Sequence, residues 1–205
     1  DIEKQAGLTG EGSEEGYLNT RVSTHFGRRV LWLVGLALLS IAAGAVMFRF
    51  EATLEGVPLL MLFLPMIIAA GGNSGGQAST VAIRAMALNE LDAGDAVRVA
   101  WKELRLGVML GMILGLTIAL ITIFVLPIFH EEISPGISFP VFGLAIAVAL
   151  GVQVTASTLI GALLPLGARA IRLDPAVIAA PAVTTVVDVS GMLIYFVVAT
   201  SMLGL

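Results

Sequence analysis

The amino-acid sequence predicts an all-α integral membrane protein with five transmembrane helices per subunit, and three features of the chain lead there. Hydrophobic residues make up 58% of it and charged residues only 13%, whereas soluble domains carry about a quarter charged residues; the mean hydropathy is +0.99. Uncharged stretches that approach or exceed the roughly 20 residues needed to cross a hydrocarbon core recur along the chain. Apart from Arg49, the Lys and Arg residues between those stretches fall on one side of a single consistent topology.

The first 27 residues read as a separate segment. DIEKQAGLTGEGSEEGYLNT is acidic and glycine-containing, and it lacks the basic start, short apolar run and small-residue cleavage site of a signal peptide. It is expected to be a cytoplasmic connecting segment, with 28–205 forming the membrane domain. Because it opens at Asp1 without a methionine, it is expected to be the remnant of a longer chain whose soluble part was cut away, the alternative being a processed or flexible tail. Residues 30–48 carry no charge and make the first span. The second covers 56–83 and is interrupted by Pro58, Pro65 and a glycine-rich stretch. The third covers 106–129. From 133 to 168 the chain is again uncharged but too long for one straight crossing, so SPGISFP at 134–140 is read as a turn and the fourth helix runs from about Val141 toward Arg169. Residues 176–205 contain one charged side chain, Asp188, and form the fifth span.

Cation placement sets the orientation. Arg21, Arg28 and Arg29 precede the first span, Arg84, Arg98, Lys102 and Arg105 separate the second from the third, and Arg169 and Arg172 separate the fourth from the fifth. Five crossings put all of these on one face, while the other receives Arg49 and the HEE run at 130–132. Because Lys and Arg accumulate in cytoplasmic loops, the N-terminus is expected in the cytoplasm and the C-terminus outside, in a multi-pass protein of a plasma or inner membrane. Trp32 and Trp101 read as anchors at the membrane boundary.

Two features carry chemistry. GGNSGGQAST at 71–80 places four glycines in six residues beside Asn73, Ser74, Gln77, Ser79 and Thr80. Glycines in a span often only admit close helix contact, but this density predicts a broken helix whose freed carbonyls line a hydrated path, since open backbone at membrane depth is tolerated only beside protein or water. Asp188 is the second feature, roughly 18 Å along its helix and near the bilayer centre. A carboxylate there costs at least about 2.5–3.5 kcal/mol, so it has to face protein or water. Thr184 and Thr185, one turn earlier, and Gly191, one turn later, extend a narrow polar stripe.

An all-oxygen donor set suits a hard cation such as Mg²⁺ or Ca²⁺. Mg²⁺ usually keeps several waters and is held by one or two carboxylates. One deep carboxylate per chain, in a wall of only five helices, therefore predicts a homodimer with the pore at or near its two-fold interface, where two copies of Asp188 meet.

Other residues narrow the reading. With no cysteine in the chain, disulfides, thiolate metal sites and cysteine nucleophiles are excluded. His25 and His130 stand far apart near segment ends and do not form a zinc site. Asp92 and Asp95, beside Arg98 and Lys102, read as a solvated face. Glu131 and Glu132 either concentrate cations at the outer mouth or are plain loop residues. AST occurs at both 78–80 and 156–158, an echo too short to carry an inference. The expected partners are a second copy of the chain, the lipid bilayer and Mg²⁺, with no nucleic acid.

GGNSGGQASTVAIRAMALNEL at 71–91, followed about eighty residues later by LDPAVIAAPAVTTVVDVSGMLIYF at 173–196, closely resembles the transmembrane domain of the MgtE family of magnesium channels, and the similarity covers most of the chain. The resemblance implies a homodimeric channel of five helices per subunit that holds hydrated Mg²⁺ at Asp188, with Gly71, Gly72, Asn73 and Thr184 contributing to the ion path. It also implies that DIEKQAG begins a plug helix, that Asp174 is where Mg²⁺ bridges plug to pore as a regulatory ligand, and that the cytoplasmic N and CBS domains are missing from this sequence. Gly76 departs from the asparagine more usual in the family, which puts selectivity and pore hydration in doubt. The alternative is an ion-coupled secondary transporter of divalent cations, which would need a proton or sodium gradient. No enzyme activity is expected: an intramembrane aspartyl protease needs two catalytic carboxylates in one site, and one chain offers only Asp188 at depth. Although a dimer could supply the second, the sequence carries no substrate-cleavage motif.

Overall fold

A computed structural model of the chain describes residues 18–205, without the side chains of Arg28, Ala93 and 176–181. Most of the expected connecting segment, including the plug reading of DIEKQAG, lies outside the described residues. The helices among them are α1 (Val22–Arg49), α2 (Glu51–Gly56), α3 (Leu60–Ala87), α4 (Ala96–Phe124), α5 (Leu126–Phe129), α6 (Phe139–Ala170) and α7 (Pro175–Leu203), with a 3₁₀ turn at Ala93–Asp95. Four described stretches are long and apolar enough to cross a membrane: Val22–Arg49, Ala96–Phe129, Phe139–Ala170 and Ala182–Leu203. With 28 residues, α3 is about 42 Å long, but Asn73, Ser74, Gln77 and the glycines keep it out of that group.

The broken helix expected at 71–80 is not found. α3 runs as one α-helix through Pro65 and the glycine run. Continuity gives the carbonyls helical donors, and two of the small polar side chains find partners on the same helix: Ser74 Oγ donates to the Ala70 carbonyl at 2.8 Å and Thr80 Oγ1 to that of Gly76 at 2.9 Å. Such back-bonding lets hydroxyls sit in an apolar setting without opening the backbone. The turn expected at 134–140 is present. Ser134 and Ile137 pair as an isolated bridge, Ser134 Oγ donates to the Gly56 carbonyl at 3.1 Å, and α6 begins at Phe139.

α6 is the central helix, packed against α4, α3 and α7, while α7 also packs on α3. Lipid is as apolar as leucine, so helices in a membrane associate through close van der Waals fit rather than hydrophobic drive. The α4–α6 contact shows how this is met. Gly107, Gly111 and Gly115 recur every fourth residue on α4, and a Cβ on Gly111 or Gly115 would lie 2.7 Å from the Gly151 carbonyl oxygen or 2.8 Å from that of Ala147. Only glycine admits a neighbouring backbone at that separation. α1 stands at the edge and touches α7, and no residue of its most apolar stretch is buried.

Toward the ends opposite the cation-bearing turns, a second set of contacts ties α7 in place. Tyr195, fully buried, donates its hydroxyl to the Leu60 carbonyl at 2.7 Å. Phe196 stacks on Phe50 with ring centroids 4.9 Å apart, and Phe63 meets Phe142 edge-on at 5.7 Å.

At the other end α3 and α6 close in the same way. Asn89 (φ 56°) and Arg172 (φ 63°) take the left-handed conformation just past each helix, and Glu90 and Leu173 donate back to the Ala85 and Ala168 carbonyls. These are Schellman caps built without glycine. Arg169 spans the two ends, donating to the Met86 carbonyl at 3.0 Å and pairing with Asp92 at 3.1 Å. Asp92 and Asp95, expected as a plain solvated face, thus form a capping box and hold Arg169 and Arg98.

Tyr195→Phe removes the donor to Leu60 while keeping the ring. It is expected to cost about 1 kcal/mol, read as a fall of a few degrees in the melting temperature of detergent-solubilised protein. An unchanged melting temperature would show that this hydrogen bond does not fasten α7.

Candidate functional site

The site is built on the seam between α3 and α7. Gly71 and Gly75, one turn apart on α3, face Val183 and Val187, one turn apart on α7. A Cβ on Gly71 would come within 3.0 Å of Val187 Cγ1, and one on Gly75 within 3.2 Å of both Val183 Cγ1 and Val187 Cγ2. Both valines are fully buried. From the other side α6 closes on the same glycines: Gly161 meets the backbone of Gly75, and Gln153 and Ser157 lie where a Gly71 side chain would be. Three helices therefore converge on a stripe of small residues.

Helical geometry then fixes what lies beside the seam. α3 and α7 are right-handed and run in opposite directions, and each further residue turns about 100° around its helix. One step on from the contact residues, Gly72 and Gly76 on α3 and Thr184 and Asp188 on α7 all turn to the same side. Nothing lies within 4 Å of where a Cβ on Gly72 or Gly76 would be. Thr184 is exposed and Asp188 partly exposed on the protomer surface. The result is a groove with two side-chain-free positions on one wall and a hydroxyl and a carboxylate on the other. No hydrogen bond to the Asp188 carboxylate is found among the described residues.

The expected residues thus separate into classes. Gly72, Thr184 and Asp188 share the groove. Gly71 is buried in the seam and shapes the site without opening into it. Asn73 is exposed, a further step round α3, and faces away from the seam. Asp174, also exposed, immediately precedes Pro175 at the start of α7, fourteen residues or about 21 Å from Asp188. Its position there is that of a helix N-cap, with proline at the first helical position. Among the described residues no three His, Asp or Glu side chains gather as a metal site would require, so any ion at Asp188 needs donors beyond one carboxylate.

Gln153 was not anticipated. It is fully buried on α6, and its Nε2 donates to the Val187 carbonyl at 3.0 Å. Its Oε1 has no partner, and neither do the buried hydroxyls of Ser79 and Ser157. An unsatisfied buried acceptor costs about 1–3 kcal/mol. The visible signal was a lone carboxamide in the uncharged run 133–168; its partner, 34 residues farther on, could not be read from the sequence.

A family model described as "Divalent cation transporter", MgtE, matches residues 64–198, which run from within α3 through most of α7. The chain belongs to the MgtE family. Among curated relatives, the magnesium transporter MgtE of Thermus thermophilus is 36% identical over 175 residues, covering 85% of this chain and 36% of that protein. That of Bacillus subtilis is 29% identical over 174 residues, with 85% and 36% covered. For Enterococcus faecalis the figures are 28% over 195 residues, with 95% and 40% covered. The chain therefore spans well under half the length of these MgtE relatives. The matched region contains the whole groove and the α3–α7 seam.

Glycines packed into the seam and glycines facing the groove are expected to respond differently to a methyl group. Gly161→Ala, which drives a Cβ into the Gly75 backbone, should destabilise the protein by about 1–3 kcal/mol. Gly76→Ala, facing open space, should leave stability unchanged or raise it by up to about 1 kcal/mol through helix propensity. Thermal unfolding in detergent distinguishes them, and equal losses would contradict the assignment of faces.

Proposed function

We propose that the chain is the pore domain of a Mg²⁺ channel that acts as a homodimer, with a hydrated ion held between the Asp188 carboxylates of two subunits. The observation that carries this reading is the placement of Asp188 and Thr184 beside Gly72 and Gly76 on a protomer surface. A carboxylate at membrane depth is costly if it faces lipid. A second copy lying over this groove removes that cost and brings a second carboxylate to the same axis. Family membership and the magnesium transporters among the relatives support the choice of ion.

The chemistry follows from the groove. Mg²⁺ gives up its water reluctantly and is commonly held through one or two carboxylates with several waters retained. Gly72 and Gly76 carry no side chain, which leaves width for an ion with its shell. Thr184, one turn from Asp188, offers a hydroxyl to that shell. Two carboxylates balance the charge of one divalent ion, so the ion is stabilised at mid-membrane without being stripped.

In this reading α3 is the fifth crossing, despite its lower hydropathy: its backbone stays bonded as one helix, and Ser74 and Thr80 donate to carbonyls of that same helix. A cytoplasmic N-terminus and an external C-terminus are supported by Arg84, Arg98, Lys102, Arg105, Arg169 and Arg172, which lie at or near the ends of α3, α4 and α6. A potential negative inside then draws the ion inward with about 4.6 kcal/mol per 100 mV for two charges. Asp174, at the cytoplasmic end of α7, is the point where internal Mg²⁺ would act to close the path.

In proteoliposomes Asp188→Asn should reduce Mg²⁺ uptake at least tenfold while the protein stays folded and dimeric. Wild-type uptake should follow the Mg²⁺ gradient and the membrane potential alone. Unreduced uptake by Asp188→Asn would remove the aspartate from the path, and a strict requirement for an imposed proton or sodium gradient would replace the channel with a coupled carrier.

A further inference from the structure

We infer that Gln153 is a positioning residue for the ion path: its carboxamide, lodged between α3 and α7, fixes the turn of α7 about its own axis and so aims Asp188 into the groove. The inference rests on the reading of Asp188 as the ion-holding group.

Three observations meet at this side chain. Nε2 donates to the carbonyl of Val187, the residue immediately before Asp188, at 3.0 Å. The carboxamide lies between two glycines on different helices: a Cβ on Gly71 would overlap Nε2, and one on Gly191 would lie 2.5 Å from it. Oε1 is left without a partner in a fully buried place. A leucine or methionine would fill this volume without stranding an acceptor, so stability alone does not explain a carboxamide here. What the amide adds is direction. The valine contacts of the seam tolerate small rotations, because dispersion is not directional, whereas an N–H···O bond weakens steeply when misaligned.

The leverage is geometric. Asp188 sits about 100° round α7 from Val187, and a side-chain tip lies some 5–6 Å from the helix axis. A turn of about 20° therefore shifts the carboxylate by about 2 Å. That is comparable to one Mg–water distance, enough to spoil water-mediated contacts shared by two subunits. Ser190 Oγ also donates to the Val187 carbonyl, at 3.2 Å, but from α7 itself; it cannot fix α7 relative to its neighbours. Gln153 reaches it from outside the helix.

The test uses two readouts. Gln153→Met keeps the volume and removes the donor; Gln153→Leu is the second variant should the first not fold. In proteoliposomes the Mg²⁺ concentration for half-maximal flux should rise about tenfold, with maximal flux within about twofold of wild type and melting temperature unchanged or higher. Thr122→Val, which removes a buried unpaired hydroxyl elsewhere on α4, should move neither half-saturation nor selectivity. Because the chain has no cysteine, Thr184→Cys reports the facing of α7 through its reaction with a membrane-impermeant thiol reagent. Adding Gln153→Met to Thr184→Cys should change that labelling rate at least threefold. Unchanged labelling overturns the inference whatever the flux does. Changed labelling with unchanged half-saturation supports the hold on α7 but overturns its action through Asp188. Normal uptake by Asp188→Asn strikes the ion-holding reading and leaves the labelling result to stand alone.

Discussion

Close contact between the two small residues of α3, Gly71 and Gly75, and the two valines of α7, Val183 and Val187, is the constraint on which the rest of the site depends. A side chain larger than hydrogen on either glycine would push α7 outward, and every position counted from the seam would move with it. Since the helices are regular, the seam also decides what stands one residue on. Gly72, Gly76, Thr184 and Asp188 share a side because their predecessors touch. The groove is thus a consequence of packing rather than of an opened backbone.

That view changes the meaning of the glycine run. Its density reads equally as helix rupture or as helix contact, and the two differ in whether the main-chain carbonyls keep their donors. Here they keep them, and Ser74 and Thr80 bond back onto the same helix. Alternate glycine pairs then divide the labour: one pair admits α6 and α7, the other leaves a bare wall. Gln153 and Ser157, both polar and fully buried, are placed where α6 meets the seam.

The sequence made the helices legible because charge-free runs of the right length leave few alternatives in a membrane protein, and the turn before α6 was marked by its Pro and Gly residues. Asp188 stood out because a carboxylate in the middle of such a run is costly wherever it is not solvated or paired. The course of α3 was misjudged since composition cannot say which neighbour satisfies a carbonyl. Asn73 was grouped with Gly72 by proximity in sequence, although one further step of the helix places it on another face. Gln153 and the separation of Gly71 from Gly72 depend on contacts between residues far apart in the chain, which one sequence does not encode in any local pattern.

The groove as an ion path is tested most directly by an electron cryomicroscopy structure of the protein in lipid nanodiscs, determined with Mg²⁺ and again after chelation. The account predicts two subunits whose Asp188 side chains face each other across a wet passage walled by Gly72 and Gly76, with density about 4 Å from the carboxylates, as for an ion held through its water, that disappears on chelation. Asp188 pressed against acyl chains, or enclosed in dry protein with no passage alongside, would contradict it.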